Sequence, residues 1–492
     1  MSRVLFVVPP LVGHVNPTVG VAAELAARGH TVAWAGLPEL VRPLAGPAAE
    51  VFPCAVAPGA EPGSAVRRPP ELRGTAALKF LWEDFLVPLA EAMAPGVAAA
   101  VTDFEPDLLV VDQQALAGPL VAERLGLPWA TSATTSAEFT GALDGMPLVE
   151  AWISGLLTDL RHRLGDPAGA ADPRFSPHLV LAFTTAELAG PQADRQVCFV
   201  GPSIAGRPAS TAFPWEWLDP DRATVLVTLG TANTDVGAAF LADGQTALRA
   251  RSDRLQAVIV DPGCVLGEPA ADPDVLVLPF VPQLQLLAHC SAVVCHAGHN
   301  TVCEALWHGV PLVVAPIRDD QPVVAGQVVA AGAGVRVRFG RSSADRLGQA
   351  VDMVLDDPGT APPPGVSPLP SGRPAARPAP PPRWNGCSAR SRSRRRGERV
   401  DHRRNRARGP RRAGRRPASR LPGRTGRRHR PVLRTAPRHL PVVRVRPADR
   451  PAAHHRPAPA QAGPLRAGRL PGLRARLPEP PTQQCGPGVL LP

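Results

Sequence analysis

VLFVVPPLVGHVNPTVGVAAELAARGHTVAWA, residues 4–35, decides how the chain folds. Residues 4–8 are an unbroken apolar run, the pattern of a strand covered on both faces. A loop follows through Val15. Asn16 is placed to cap a helix, Pro17 to take its first position and Gly29 to close it. Residues 31–35 read as a second strand. Strand, helix and strand in this order predict a parallel pair joined by a right-handed crossover.

The same alternation continues outward. Residues 75–101 read as largely helical, with Pro88 and Pro95 expected to break or kink the helix. Residues 108–111 form another buried strand ended by Asp112, 115–125 a helix and 129–132 a strand. GPSIAGRPASTAFPWEWLDPDR, residues 201–222, is rich in Gly, Pro and Ser and reads as an interdomain linker. Strands are then expected at 224–229, 256–260, 275–278, 292–295 and 311–315. Helices are expected at 236–251, 300–307, 323–331 and 343–355. The fold class is therefore α/β, with two Rossmann-like, doubly wound parallel-sheet domains at 1–200 and 223–358.

From Gly359 the pattern stops. Of the 54 basic residues, 32 fall in 359–492, all Arg, beside only four acids and among 27 Pro. The first 358 residues thus hold 22 basic and 38 acidic side chains, a net charge near −16 that the overall +12 conceals. The body is that of an acidic soluble enzyme. The tail has no period of 2 or 3.6, cannot bury a core and is expected to be disordered. Its Arg run at 392–396 would attract phosphates non-specifically, but no module for reading nucleic acid accompanies it. The eight Cys lack zinc-ligand spacing and read as reduced thiols. No secretory signal and no apolar run of membrane-spanning length is evident, which places the protein in the cytoplasm.

Open parallel sheets bind ligands at the carboxyl ends of their strands. His14 stands in the loop after the first strand, where an imidazole suits a general base; the plainer reading is a loop His without a role. Asp112, at the end of 108–111, is placed to reach His14, fix its tautomer and stabilise the imidazolium. It serves equally as a helix cap or a solvated carboxylate. In CHAGHNTVCEA, residues 295–305, His296 and Gly298 end a strand, and Asn300 and Thr301 open a helix whose free N–H groups favour a phosphate. Glu304 lies one turn along from Asn300, placed to accept from ribose hydroxyls. Thr231 closes a similar strand end, TLGT at 228–231. Asp320 and Gln321, after the strand at 311–315, can hold sugar hydroxyls or form a polar surface turn. The Asp-Pro-Asp triplets at 219–221 and 272–274 sit in loops and are rejected as metal sites.

FVPQLQLLAHC at 280–290 and HAGHNTVCEALWHGVPLVVAPIRDDQPVVAGQVVAAGAGV at 296–335 closely resemble the donor signature of family-one glycosyltransferases of the two-domain GT-B type. The bacterial macrolide and natural-product enzymes are the nearest match. The opening segment is similar to their acceptor-domain start, and the resemblance covers residues 1–358. It implies two domains facing a cleft, the first for the acceptor and the second for the donor. It makes His14 the base that deprotonates an acceptor hydroxyl and Asp112 the acid that orients it. Thr231, His296, Gly298, Asn300 and Thr301 become diphosphate contacts, Glu304 the ribose contact, and Asp320 and Gln321 the donor-sugar contacts. Gln283 joins the donor set. Phe280 stands where plant relatives carry a Trp under the nucleobase, and His299 where the plant motif has Trp.

The resemblance further implies a UDP- or dTDP-sugar co-substrate, inversion at the anomeric carbon, and no metal or other cofactor. The acceptor is expected to be a hydrophobic small molecule held by residues 138–164, with Phe139, Met146, Trp152 and Ile153. Neither a specific nucleic-acid partner nor an oligomeric state follows. The alternatives are an inactive, truncated sugar-nucleotide-binding protein, a sugar-nucleotide epimerase, or a nucleic-acid binder acting through the tail. Family members continue past this point with a Tyr-Arg, an Ala- and Arg-rich helix and an Ala-Gly-Gly turn. GTAPPPGVSPLPSGRPAAR, residues 359–377, permits YRAAARRIAASFRAAGGA when its codons are read from the third base of Gly359. The tail is therefore expected to be an out-of-frame translation.

Overall fold

The structure, a computed structural model, describes residues 1–56, 72, 74–190, 197–207, 212–230, 233, 237–267 and 270–356. Thr231 and the tail from 357 onward, with its expected frame break, lie outside the described residues.

The first half runs β1 (Arg3–Val7), α1 (Val12–Ala27), β2 (Thr31–Gly36), α2 (Pro38–Ala45), β3 (Val51–Pro53), α3 (Gly74–Lys79), a π-helical stretch (Phe80–Leu86), α4 (Val87–Phe104), β4 (Leu108–Asp112), α5 (Ala117–Leu125), β5 (Trp129–Ala133), α6 (Pro147–Leu164), β6 (Val180–Ala182), α7 (Ala186–Ala189) and β7 (Val197–Phe199). Its seven strands are ordered β3-β2-β1-β4-β5-β6-β7, all parallel. The second half runs β8 (Ala223–Thr228), α8 (Ala238–Arg249), β9 (Leu255–Val260), β10 (Ala270–Ala271), β11 (Val275–Leu278), α9 (Gln283–Leu287), β12 (Ala292–Cys295), α10 (His299–Trp307), β13 (Leu312–Val314), α11 (Gln321–Ala330), β14 (Gly334–Arg336) and α12 (Ala344–Asp356). Its order is β10-β11-β9-β8-β12-β13-β14. The two-residue β10 pairs antiparallel, the one departure from a parallel sheet among the described strands.

The continuous apolar strands are explained by covering on both faces. Phe6 and Val8 pack with Val15, Val19 and Ala22 of α1 on one side of the first sheet. Leu5 and Val7 pack with Leu89, Met93 and Val97 of α4 on the other. The second sheet repeats this plan, with Val225 and Val227 against α8 and α12 and Leu226 against α10 and α11.

Two local expectations are corrected. Helix α1 begins at Val12, not after Asn16, and Pro17 lies inside it. A proline there has no N–H for the carbonyl four residues back, which belongs to Gly13. That carbonyl is instead satisfied by Asn300 Nδ2 of the second half, at 2.6 Å. The stretch Gly74–Phe104 is a single helical run of 31 residues with an 18-residue window of mean hydropathy 1.5, long and apolar enough to cross a membrane. Pro88 does not break it. The wider π turns just before Pro88 accommodate the ring where an α-helix would clash. Its apolar face, including Trp82, Phe85, Leu89 and Met93, is buried in the first half's core, which accounts for its hydropathy. Among the described cysteines Cys54, Cys198, Cys290, Cys295 and Cys303 form no disulfide, but Cys264 is disulfide-bonded, against the expectation of reduced thiols throughout.

Candidate active site

Strand order reverses between β1 and β4 in the first sheet, and the first candidates stand at that switch point. Asp112 is the last residue of β4, and His14 lies in the first turn of α1 just beyond β1. His14 Nδ1 is 2.9 and 3.0 Å from the two Asp112 oxygens. Thr134, just past β5, completes the group. Its hydroxyl donates to Asp112 Oδ2 at 2.9 Å and lies 2.8 Å from His14 Nδ1. The Gln114 backbone N–H donates to Asp112 Oδ1 at 2.9 Å. An ionised carboxylate only accepts, so this arrangement assigns the proton to Nδ1 and leaves the Nε2 lone pair as the base. Burial alone lowers the His14 pKa, but the adjoining Asp112 more than offsets it, aided by Asp320 and Glu138, and the net shift is upward.

In the second half His296 follows β12, which lies next to β8. Its ring is sandwiched between two glycines. A Cβ on Gly230 would sit 2.7 Å from His296 Cε1, and one on Gly298 would collide with Nε2. Gly298 thus admits the histidine ring and also lines the cavity. Burial pushes His296 down to about 4, with nearby Arg318 acting in the same direction, so the ring is neutral at pH 7. Its Nδ1 is buried without a hydrogen-bond partner among the described residues. Gly298 caps α10, placing His299, Asn300 and Thr301 in the first turn, where backbone N–H groups have no partner within the helix.

Glu304 is buried and holds two partners: Gln283 Nε2 donates to Oε2 at 2.7 Å and Arg207 Nη1 to Oε1 at 2.6 Å. Asp320 accepts from Thr135 Oγ1 of the first half at 2.5 Å. The Gln321 carbonyl is engaged by the backbone N–H groups of Ile317 and Arg318 at 2.9 and 3.0 Å. Asn300, expected at the diphosphate, places its amide on Gly13. Phe280 is not among the residues lining the cavity. Val281 takes the cavity side, and in an extended loop neighbouring side chains alternate in direction.

One cavity of about 1460 Å³ is lined by His14 together with His296, Asn300, Thr301, Glu304, Asp320 and Gln321. Of the apolar residues expected at the acceptor, Phe139 and Ile153 line it. Met146 is instead half exposed, and Trp152 donates to Glu83 at 3.1 Å. The helical run 74–104 supplies Leu78, Leu81, Trp82 and Phe85 in their place. Thr134, Arg207 and Arg318 also line the cavity and were not foreseen from sequence. Among the described residues no group of three or more His, Cys, Asp or Glu could hold a metal ion.

A family model described as UDP-glucoronosyl and UDP-glucosyl transferase matches residues 265–360. Similarity to whole proteins extends farther. The 4'-demethylrebeccamycin synthase of Lentzea aerocolonigenes is 32% identical over 394 residues, spanning 73% of this chain and 92% of the relative. The chain belongs to this glycosyltransferase family. The demethyllactenocin mycarosyltransferase of Streptomyces fradiae is 30% identical to this glycosyltransferase, over 73% of this chain and 80% of the relative. The crystal structure of the glycotransferase of kitacinnamycin overlays on it with a TM-score of 0.59 at 26% identity, covering 73% of this chain and 92% of that one. The two parallel-sheet halves are the GT-B architecture.

Proposed function

We propose that this glycosyltransferase moves a hexose-type sugar from a UDP- or dTDP-sugar to a hydroxyl of a hydrophobic small molecule, inverting the anomeric carbon. The observation that carries this reading is the His14–Asp112–Thr134 group opening into the same cavity as the start of α10. Relatives named for natural products, rebeccamycin and lactenocin, support the acceptor class. His14 Nε2 takes the proton of the acceptor hydroxyl. The oxygen attacks the anomeric carbon as the bond to the diphosphate breaks, and the electron pair leaves with the nucleoside diphosphate. The N–H groups of the first turn of α10 and neutral His296 face the departing charge. By family resemblance no metal or other cofactor takes part, and the work is done in the cytoplasm.

Nucleotide binding gives the direct test. UDP or dTDP at about a hundred times its dissociation constant should stabilise the protein by ~2.7 kcal/mol. Combining His296→Ala with Thr301→Ala should abolish the thermal shift. A shift of unchanged size in the double variant would place the nucleotide elsewhere.

The tail belongs to the same proposal. The family match ends at 360, where the Pro- and Arg-rich composition begins. A one-base loss near Gly359 accounts for both. Sequencing the locus decides it, since a shifted frame that met a stop codon at once, or lacked the Ala-Gly-Gly segment, would end the idea.

A further inference from the structure

We propose that Arg207, at the end of the strap 203–207 that follows the first domain, is a positioning residue of the nucleotide site, holding the Glu304 carboxylate aimed at the ribose hydroxyls. This rests on the nucleotide reading given above.

Glu304 is a buried carboxylate, 3% exposed in its side chain, and Arg207 is its ion-pair partner at 2.6 Å with a side chain only 12% exposed. A buried carboxylate is costly unless it is paired, so the orientation of this one depends on that partner. Gln283 holds the other oxygen from the second half. Each carboxylate oxygen accepts more than one hydrogen bond, so both retain capacity toward the cavity. The strap fixes the guanidinium through a second bond, from Arg207 Nη2 to the Ser203 carbonyl at 2.6 Å. It is seated against α1, the helix that carries His14. A Cβ on Gly20 would lie 2.8 Å from the Ala205 carbonyl oxygen and collide with the Ser203 hydroxyl.

A second observation points to a ligand. Among the described residues the buried Arg207 Nε has no hydrogen-bond partner, although Nη1 and Nη2 are both engaged. A pair built only for stability would be expected to satisfy every buried donor. This one leaves a donor in a residue that lines the cavity.

The test is a double-mutant cycle on the full-length chain, read by titration of UDP, dTDP, uridine and thymidine. Arg207→Ala should weaken each bound nucleotide and its nucleoside alike by roughly 10–100-fold, the range for a hydrogen bond to a charged group. Arg207→Lys should regain most of that loss. In a Glu304→Gln background the further loss from Arg207→Ala should shrink below about threefold, because both changes remove one interaction. Additive losses would overturn the proposal, and they remain interpretable even if Arg207→Ala is less stable. A loss confined to the diphosphates and absent for the nucleosides would also overturn it, placing Arg207 at the phosphates. So would unchanged or tighter binding by Arg207→Ala, which would make the arginine idle or a competitor for the site. If the unaltered chain bound none of the four probes, the nucleotide reading itself would fall, and this inference with it.

Discussion

Replacing His14 with Ala is expected to lower turnover by roughly 10²–10⁴-fold, the usual loss on removing a general base. UDP or dTDP affinity should stay within about threefold, because a residue acting only on the acceptor proton contributes to the reaction barrier and not to donor binding. The geometry motivates this directly: Nδ1 is tied to Asp112 and Thr134, so only Nε2 can receive a proton. The base works when neutral, and Asp112 holds its pKa above the ordinary 6.5. Turnover should therefore rise with pH through that raised value and be lost as pH falls below it. His14→Ala should abolish this acid limb. Turnover within about threefold of the unaltered enzyme, or an acid limb that survived, would remove His14 from the mechanism.

Asp112→Asn should cost nearly as much, about 10³–10⁴-fold, on the precedent of triads whose carboxylate is replaced by its amide. The amide NH₂ can donate to Nδ1 and so drive the proton to Nε2, blocking the nitrogen that must act. The pH profile separates this from a simple loss of basicity. Removing the carboxylate leaves burial as the dominant influence on His14, so its pKa should fall and the acid limb should move to lower pH. More of the imidazole would then be neutral at pH 7, yet turnover would drop. An unmoved limb would show that Asp112 does not control His14.

The parts of the site visible in sequence share one property: each stands next to a strand that announces itself. His14, Asp112 and His296 follow continuous apolar runs, and strand ends are where open parallel sheets place their chemistry. Thr134 follows a strand interrupted by Thr131 and Ser132, and only the pairing of β4 with β5 brings it to Asp112. Arg207 and Glu304 are 97 residues apart, and no local period links them. The start of α1 was misjudged because Pro17 fits a first helical position so well. The missing N–H it brings to the interior is compensated by a residue nearly three hundred positions away. Gly298 has a packing role that its sequence context does not show. Its lack of a side chain makes room for His296, a neighbour two positions back whose ring direction no sequence pattern shows.

Pro17 also bears on how such enzymes can be recombined. The two halves meet through Asn300 on the Gly13 carbonyl, Thr135 on Asp320, and Ser136 on Gln327 at 2.7 Å. The first contact falls on a carbonyl to which residue 17 cannot donate. A chimaera that took its first half from a relative with a non-proline residue here would return the Gly13 carbonyl to its own helix. Asn300 would then share that carbonyl with a helix donor, and the contact across the seam would weaken although every residue touching it had been kept. Halves of this fold are therefore not interchangeable cassettes, and a compatible graft must match a buried helix position as well as the two facing surfaces.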